Sequence, residues 1–123
     1  MISNQNYLGT RGVVSKGNEM DFHESTVETL QQIGGDLYLK LSGVFKDDGT
    51  TNARIIVREI SSVIIDGEEN SKISMNFPDG EVLALRVKER ELFFVVEWND
   101  FGSRRSQTNS YLIKGSAVEI DNN

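Results

Sequence analysis

The stretch MDFHES, Met20 to Ser25, holds the only histidine of the chain, His23, with Asp21 two residues before it and Glu24 directly after. Imidazole beside carboxylate is the pairing used for proton transfer and for cation binding, so those are the chemistries to weigh. In an extended segment Asp21 and His23 share one side and Glu24 takes the other. A transition-metal centre needs third and fourth ligands, and the chain offers no second histidine and no cysteine. A serine–histidine relay would rest on His23 alone, and no serine sits in a G-x-S-x-G turn. Nineteen Asp and Glu residues could include a glycosidase-type pair, but no spacing singles one out. The residues favour a structural His23, hydrogen-bonded to backbone or carboxylate at a strand entry. They favour no metal or other cofactor and no enzymatic activity.

Phosphate chemistry fares no better. Gly9-Thr10-Arg11-Gly12 lacks the glycine spacing of a P-loop or a dinucleotide fingerprint and reads as loop. The stretch GSRRSQTN sets Arg104 and Arg105 beside serines and an asparagine, and with Arg86, Lys88 and Arg90 they would make a basic strip if folding aligned them. Thirteen Lys and Arg against nineteen acids leave a net charge of −6, and no aromatic RNA-binding signature lies nearby. Nucleic acid is therefore not expected as the primary ligand. The same charge would attract a basic protein.

The acids themselves cluster in two turns: Asp66, Glu68 and Glu69 in DGEEN, and Asp47 and Asp48 in KDDGT. Each alone reads as a solvated turn, but brought together they would form a negative surface that steers a basic partner. Trp98 ends the most apolar segment and Phe101 follows three residues later. Core or rim packing is the default for both, and exposure beside a loop would make either an interface anchor.

These side chains must be positioned by strands. In DLYLKLSGVF, Leu37, Leu39 and Leu41 alternate with Tyr38, Lys40 and Ser42, the period of a half-buried strand. STVETLQQI also suits a helix through Val27, Leu30 and Ile33, but Gly34-Gly35 before a clear strand signals a hairpin. ARIIV and ISSVIIDG follow as short β-branched runs, the second closed by Asp66-Gly67. FPDGE, with Pro78 and Gly80, predicts another hairpin turn. EVLALRVK and ELFFVVEW meet across Glu89-Arg90, and the second is apolar on both faces, as a central strand would be. TNSYLIKG and SAVEI close the chain.

This pattern predicts one all-β domain over residues 1–123: a curved antiparallel sheet, a β sandwich or a partly closed barrel of about eight or nine strands. Residues 1–19 are expected to be loop-rich and 121–123 a frayed tail. With 37% hydrophobic and 26% charged residues the composition is that of a globular domain. The lack of cysteine fits a reducing cytoplasm. Neither an export leader nor an apolar run of the ~20 residues that cross a membrane is evident.

Two stretches carry a family resemblance. FHES, Phe22 to Ser25, followed by an apolar segment, a short turn and DLYLKLSG, resembles the FHD-S opening of small bacterial β proteins grouped with immunity proteins of polymorphic and contact-dependent toxin systems. VVEWNDF and TNSYLIKGSAVEI resemble their closing strands, and Glu24 departs from the usual aspartate. The resemblance implies a non-enzymatic role: binding a cognate toxin domain, often a nuclease, and occluding its active site. An acidic protein suits capture of a basic nuclease site. Contact residues would then be Asp66, Glu68 and Glu69, with Asp47 and Asp48, and Trp98 or Phe101 as apolar anchor. Two alternatives stand beside it: a barrel holding an apolar small molecule between strands 81–88 and 91–98, or a structural or regulatory protein that pairs edge strands with itself.

Overall fold

The computed structural model describes residues 11–15, 18–47, 49–70 and 72–121. Their regular structure is all strand: β1 (Arg11–Ser15), β2 (Asn18–Asp21), β3 (Thr26–Ile33), β4 (Asp36–Lys46), β5 (Gly49–Arg58), β6 (Ser62–Ile65), β7 (Glu68–Asn70), β8 (Asp79–Lys88), β9 (Glu91–Asp100), β10 (Arg105–Lys114) and β11 (Ala117–Asp121). They form one antiparallel sheet, ordered β1-β2-β4-β3-β8-β9-β10-β6-β7, with β5 on the second edge of β4 and β11 outside β5. The sheet is not closed into a barrel.

A single narrow seam divides this sheet into two wings. β3 and β8 are paired only at Thr26 and Glu81, reinforced by Glu24 N–H to Val82 O at 2.8 Å and Val82 N–H to Ser25 O at 2.9 Å. Each strand carries a bulge where it leaves the pairing, β3 between Val27 and Thr29 and β8 between Val82 and Ala84, on opposite sides of the seam because the strands are antiparallel. An extra residue bends a strand and adds twist, so the two strands part there. Wing one (β3, β4, β5, β11) thereby folds over wing two (β8, β9, β10, β6, β7), and their inward residues form one continuous core.

The bulges also explain the sequence pattern. A bulge shifts the alternation by one, so inward residues fall three apart: Val27 and Leu30, Leu41 and Val44, Val82 and Leu85, all buried. The first of these gave STVETLQQI its helical look. At the second, Gly43 takes the positive φ of 69° that the irregularity requires. Gly34, at φ 62° with Gly35 outside the left-handed region, turns β3 into β4 as expected of a type II′ hairpin. Asp66 and Gly67, at φ 53° and 83°, make the type I′ turn between β6 and β7.

At one end of the molecule main-chain bonds tie the wings together. Ile60 N–H reaches Gly35 O at 2.7 Å, Ser61 N–H reaches Lys114 O at 2.7 Å, and Ser116 N–H reaches Arg58 O at 2.8 Å. Gly115 N–H reaches Arg90 O at 3.0 Å, and a β-carbon on Gly115 would collide with the carbonyl oxygen of Arg58.

Several sequence expectations need correction. The stretch within residues 1–19 expected to be loop contains β1 and the start of β2, a hairpin with Val14 opposite Glu19; residues 1–10 lie outside the described residues. This hairpin and the short β7 bring the strands among the described residues to eleven, where the pattern counted about eight or nine. Pro78 does not head a hairpin: residues 72–78 form no strand, and Asp79 and Gly80 already belong to β8. Asp121 is not frayed, since it pairs with Arg54 in the ladder and bonds its guanidinium at 2.7 Å, while 122–123 lie outside the described residues.

Candidate functional site

β10 has ten residues, but the short β6 covers only Tyr111 to Lys114. Tyr111 and Ile113 are the apolar inward positions of β10, and between them and Arg105 at the strand end come two polar ones, Gln107 and Asn109. They face an open cleft of about 490 Å³ whose other walls include Asp66, Glu68, Lys72 and Asn76. Tyr111 forms its inner end.

Asp66 holds this cleft in shape. One carboxylate oxygen accepts Ser110 N–H at 2.8 Å and the other accepts Asn109 Nδ2–H at 2.5 Å. Its own N–H donates to Ser110 O at 2.9 Å. Asn109, 3% exposed, passes the chain onward by accepting Asn76 Nδ2–H at 2.7 Å. Thus the β6–β7 turn, the middle of β10 and the 72–78 loop are clasped by one polar chain, with Ile73 of the loop buried beneath. Asn109 was legible as an anomaly, since it falls in phase with buried Tyr111 and Ile113. Nothing local identified Asn76 or Gln107.

The Tyr111 hydroxyl accepts Trp98 Nε1–H at 2.7 Å, and burial pushes the phenol up to about 12, aided by the nearby Asp66 charge. It lies within the cleft wall as a neutral group.

The two acids after the turn are differently placed. By strand alternation Glu68 and Asn70 face the cleft, and Glu69, opposite Ile64, faces the outer side of the wing. Both glutamates are exposed, and neither makes an ion pair with a described residue. Among the described residues β7 pairs only with β6 and so ends the sheet.

The remaining sequence candidates scatter. Asp47 is exposed in the β4–β5 turn, on the other wing, and shares no ladder with β6 or β7; Asp48 lies outside the described residues. The two acidic turns therefore do not form a shared surface through the sheet. Trp98 is fully enclosed and is corrected from interface anchor to core. Phe101, 73% exposed in the β9–β10 turn, keeps that possibility. Arg104 and Arg105 sit at one end of wing two and Lys88 and Arg90 at the other, strand ends about 30 Å apart, so the basic strip does not form. Arg105 instead lies over the Phe77 ring, 5.3 Å from its centroid.

His23 is exposed in the turn after β2, where its backbone N–H, not its ring, donates to Asp21 Oδ1 at 3.0 Å. The FHES stretch around it is a seam device. Phe22 is buried, Glu24 takes φ 69°, and the Ser25 hydroxyl donates to Phe22 O at 2.7 Å. Among the described residues no group of three or more His, Asp or Glu could hold a metal ion, and no helix is long and apolar enough to cross a membrane.

A second open cleft, about 480 Å³, lies on wing one beside Glu28, Lys40, Ser42 and Arg54. Two of its charged groups are engaged: Ser42 Oγ–H donates to Glu28 at 2.5 Å, and Arg54 bonds Asp121. No protein-family model, curated protein or solved structure gives a significant match to this chain.

Proposed function

We propose that this protein is a non-catalytic binding protein that captures a basic protein domain, in the manner of an immunity protein occluding the active site of a toxin, with a nuclease as the fitting toxin class. The observation that carries the reading is the acidic edge of wing two: Glu68 and Glu69, exposed, beside a polar cleft held rigid by Asp66. Carboxylates on a preorganised rim attract a basic partner at long range and cost little ordering on contact. The FHES resemblance supports the family assignment, although its residues serve the seam rather than a surface.

The alternative of an apolar ligand between strands 81–88 and 91–98 finds no support in their packing. Val82, Leu85, Leu92, Phe94, Val96 and Trp98 are enclosed against wing one. Pairing between copies through the β7 edge is opposed by that strand itself, which is three residues long with two glutamates.

The test is titration of the tagged protein with the purified product of the adjacent upstream gene, across a salt series. Tight, salt-weakened, equimolar binding supports the reading. No binding at low salt removes it.

A further inference from the structure

β9 carries apolar residues on both faces, Phe93 and Val95 on the outer one, and wing one covers the inner face. On the outer side a single cross-strand row runs the width of wing two: Arg86 opposite Phe93, Phe93 opposite Leu112, Leu112 opposite Ile64, and Ile64 opposite Glu69. The three apolar members are partly exposed, and the next row adds Ala84 and Val95. The row therefore begins with a cation, ends with an anion and is apolar between. Four strand spacings of about 4.8 Å separate its ends by roughly 19 Å.

We propose that this outer face is a homodimer interface, formed with a second copy about a two-fold axis parallel to the strands and passing through Leu112. Such an axis reverses the row against itself. Leu112 then meets Leu112 of the other copy, Phe93 meets Ile64, and each Arg86 meets Glu69. A two-fold axis perpendicular to the strands would instead set Arg86 against Arg86 and Glu69 against Glu69, so charge selects between the two arrangements. Arg86 is already held for this contact, its guanidinium 4.6 Å from the centroid of the Phe93 ring. The cost falls at the strand ends, where Lys114 faces its own copy. There each Lys114 has Glu91 as its cross-strand neighbour, and the twist of packed sheets splays the corners. The inference does not rest on the toxin-capture reading, although the two share Glu69 of the acidic edge.

The experiment is sedimentation equilibrium of the full chain over a wide concentration range at low salt, with circular dichroism confirming the fold of each variant. The wild type should dimerise, and Leu112→Asp should be monomeric. Arg86→Glu and Glu69→Arg should each raise the dissociation constant at least tenfold, while the double variant should recover most of that loss, because swapped charges still face each other. Both charge sites are exposed, so these variants test the interface even if Leu112→Asp fails to fold. A wild type that stays monomeric at millimolar concentration overturns the proposal, as does a dimer indifferent to both charge variants or a double variant no better than the singles. Loss of upstream-product binding in Leu112→Asp, with a monomeric wild type, would assign the face to that partner instead.

Discussion

Trp98 and Tyr111 share a hydrogen bond inside the core: the indole Nε1–H donates to the phenol oxygen at 2.7 Å, with both residues no more than 1% exposed. They lie on adjacent strands four residues out of register, since Trp98 opposes Gln107 and Tyr111 opposes Phe94, on which it stacks at 4.7 Å, so the two long side chains reach along the strands to meet. The bond lets the largest side chain of the protein end a core strand without an orphaned donor.

Removing the acceptor should therefore cost more than a methyl-sized change. Tyr111→Phe keeps the stacking and leaves the buried indole N–H unsatisfied, a loss of about 1–3 kcal/mol. Urea unfolding followed by Trp98 fluorescence would measure it. In the wild type that fluorescence should be blue-shifted and resist iodide quenching, and ready quenching would contradict the assignment of Trp98 to the core.

The same site sets an alkaline limit. Tyr111 titrates near 12 when folded, against an ordinary 10.0. Between those values the unfolded chain releases the phenolic proton and the folded chain keeps it, so stability present below pH 10 declines as pH rises through this window. Absorbance of ionised tyrosine should show one of the three tyrosines titrating late, and Tyr111→Phe should remove that late phase.

Trp98 also fixes the residue opposite it. A β-carbon on Gly80 would sit 2.6 Å from Trp98 Cζ3 and 3.0 Å from Val96 Cγ1, inside contact distance. Gly80→Ala should thus cost about 1–3 kcal/mol through overpacking, despite the better strand propensity of alanine. A midpoint of thermal unfolding equal to the wild type would show that the indole can move aside.

How much of this was legible in the sequence follows from periodicity. Alternation exposed β4 and β9, and the paired glycines marked the Gly34-Gly35 hairpin, while Asp66-Gly67 marked the end of β6 without revealing the short β7 beyond it. The seam was hidden because Val27–Leu30 and Val82–Leu85 break the two-residue period where the strands diverge. The clasp was hidden for another reason. Asp66 reads as a solvated turn acid, and only the ladder between β6 and β10 brings it to Asn109, 43 residues away. Glu68 and Glu69 were visible as charges, but which face each takes depends on the hairpin register.

Acid should act through Asp36. The backbone N–H of Glu59 and then the Arg58 guanidinium, 3.0 Å away, hold this carboxyl below its ordinary 3.8. The stabilising ionised form is fully present above 3.8 and is lost as pH falls through the lower folded-state value. Asp36→Asn should be less stable than the wild type at neutral pH, and the gap should close in acid below that point. A gap constant from pH 7 to pH 2 would mean that the pairing contributes nothing through charge.

Asp66 and Glu68 are two residues apart and equally charged, yet they should fail in opposite ways. Asp66→Ala strands the buried Asn109 amide and frees the 72–78 loop, a destabilisation of about 2 kcal/mol that hydrogen exchange should localise to residues 66–78 and 107–111. Glu68→Lys removes no bond within the described residues and should change stability by less than about 0.5 kcal/mol. If the rim captures a basic domain, however, Glu68→Lys should slow association with it severalfold at low salt and little at high salt, because the lost term is long-range attraction. An association rate unchanged at every salt concentration would separate the acidic edge from binding, and the clasp would then be a device of stability alone.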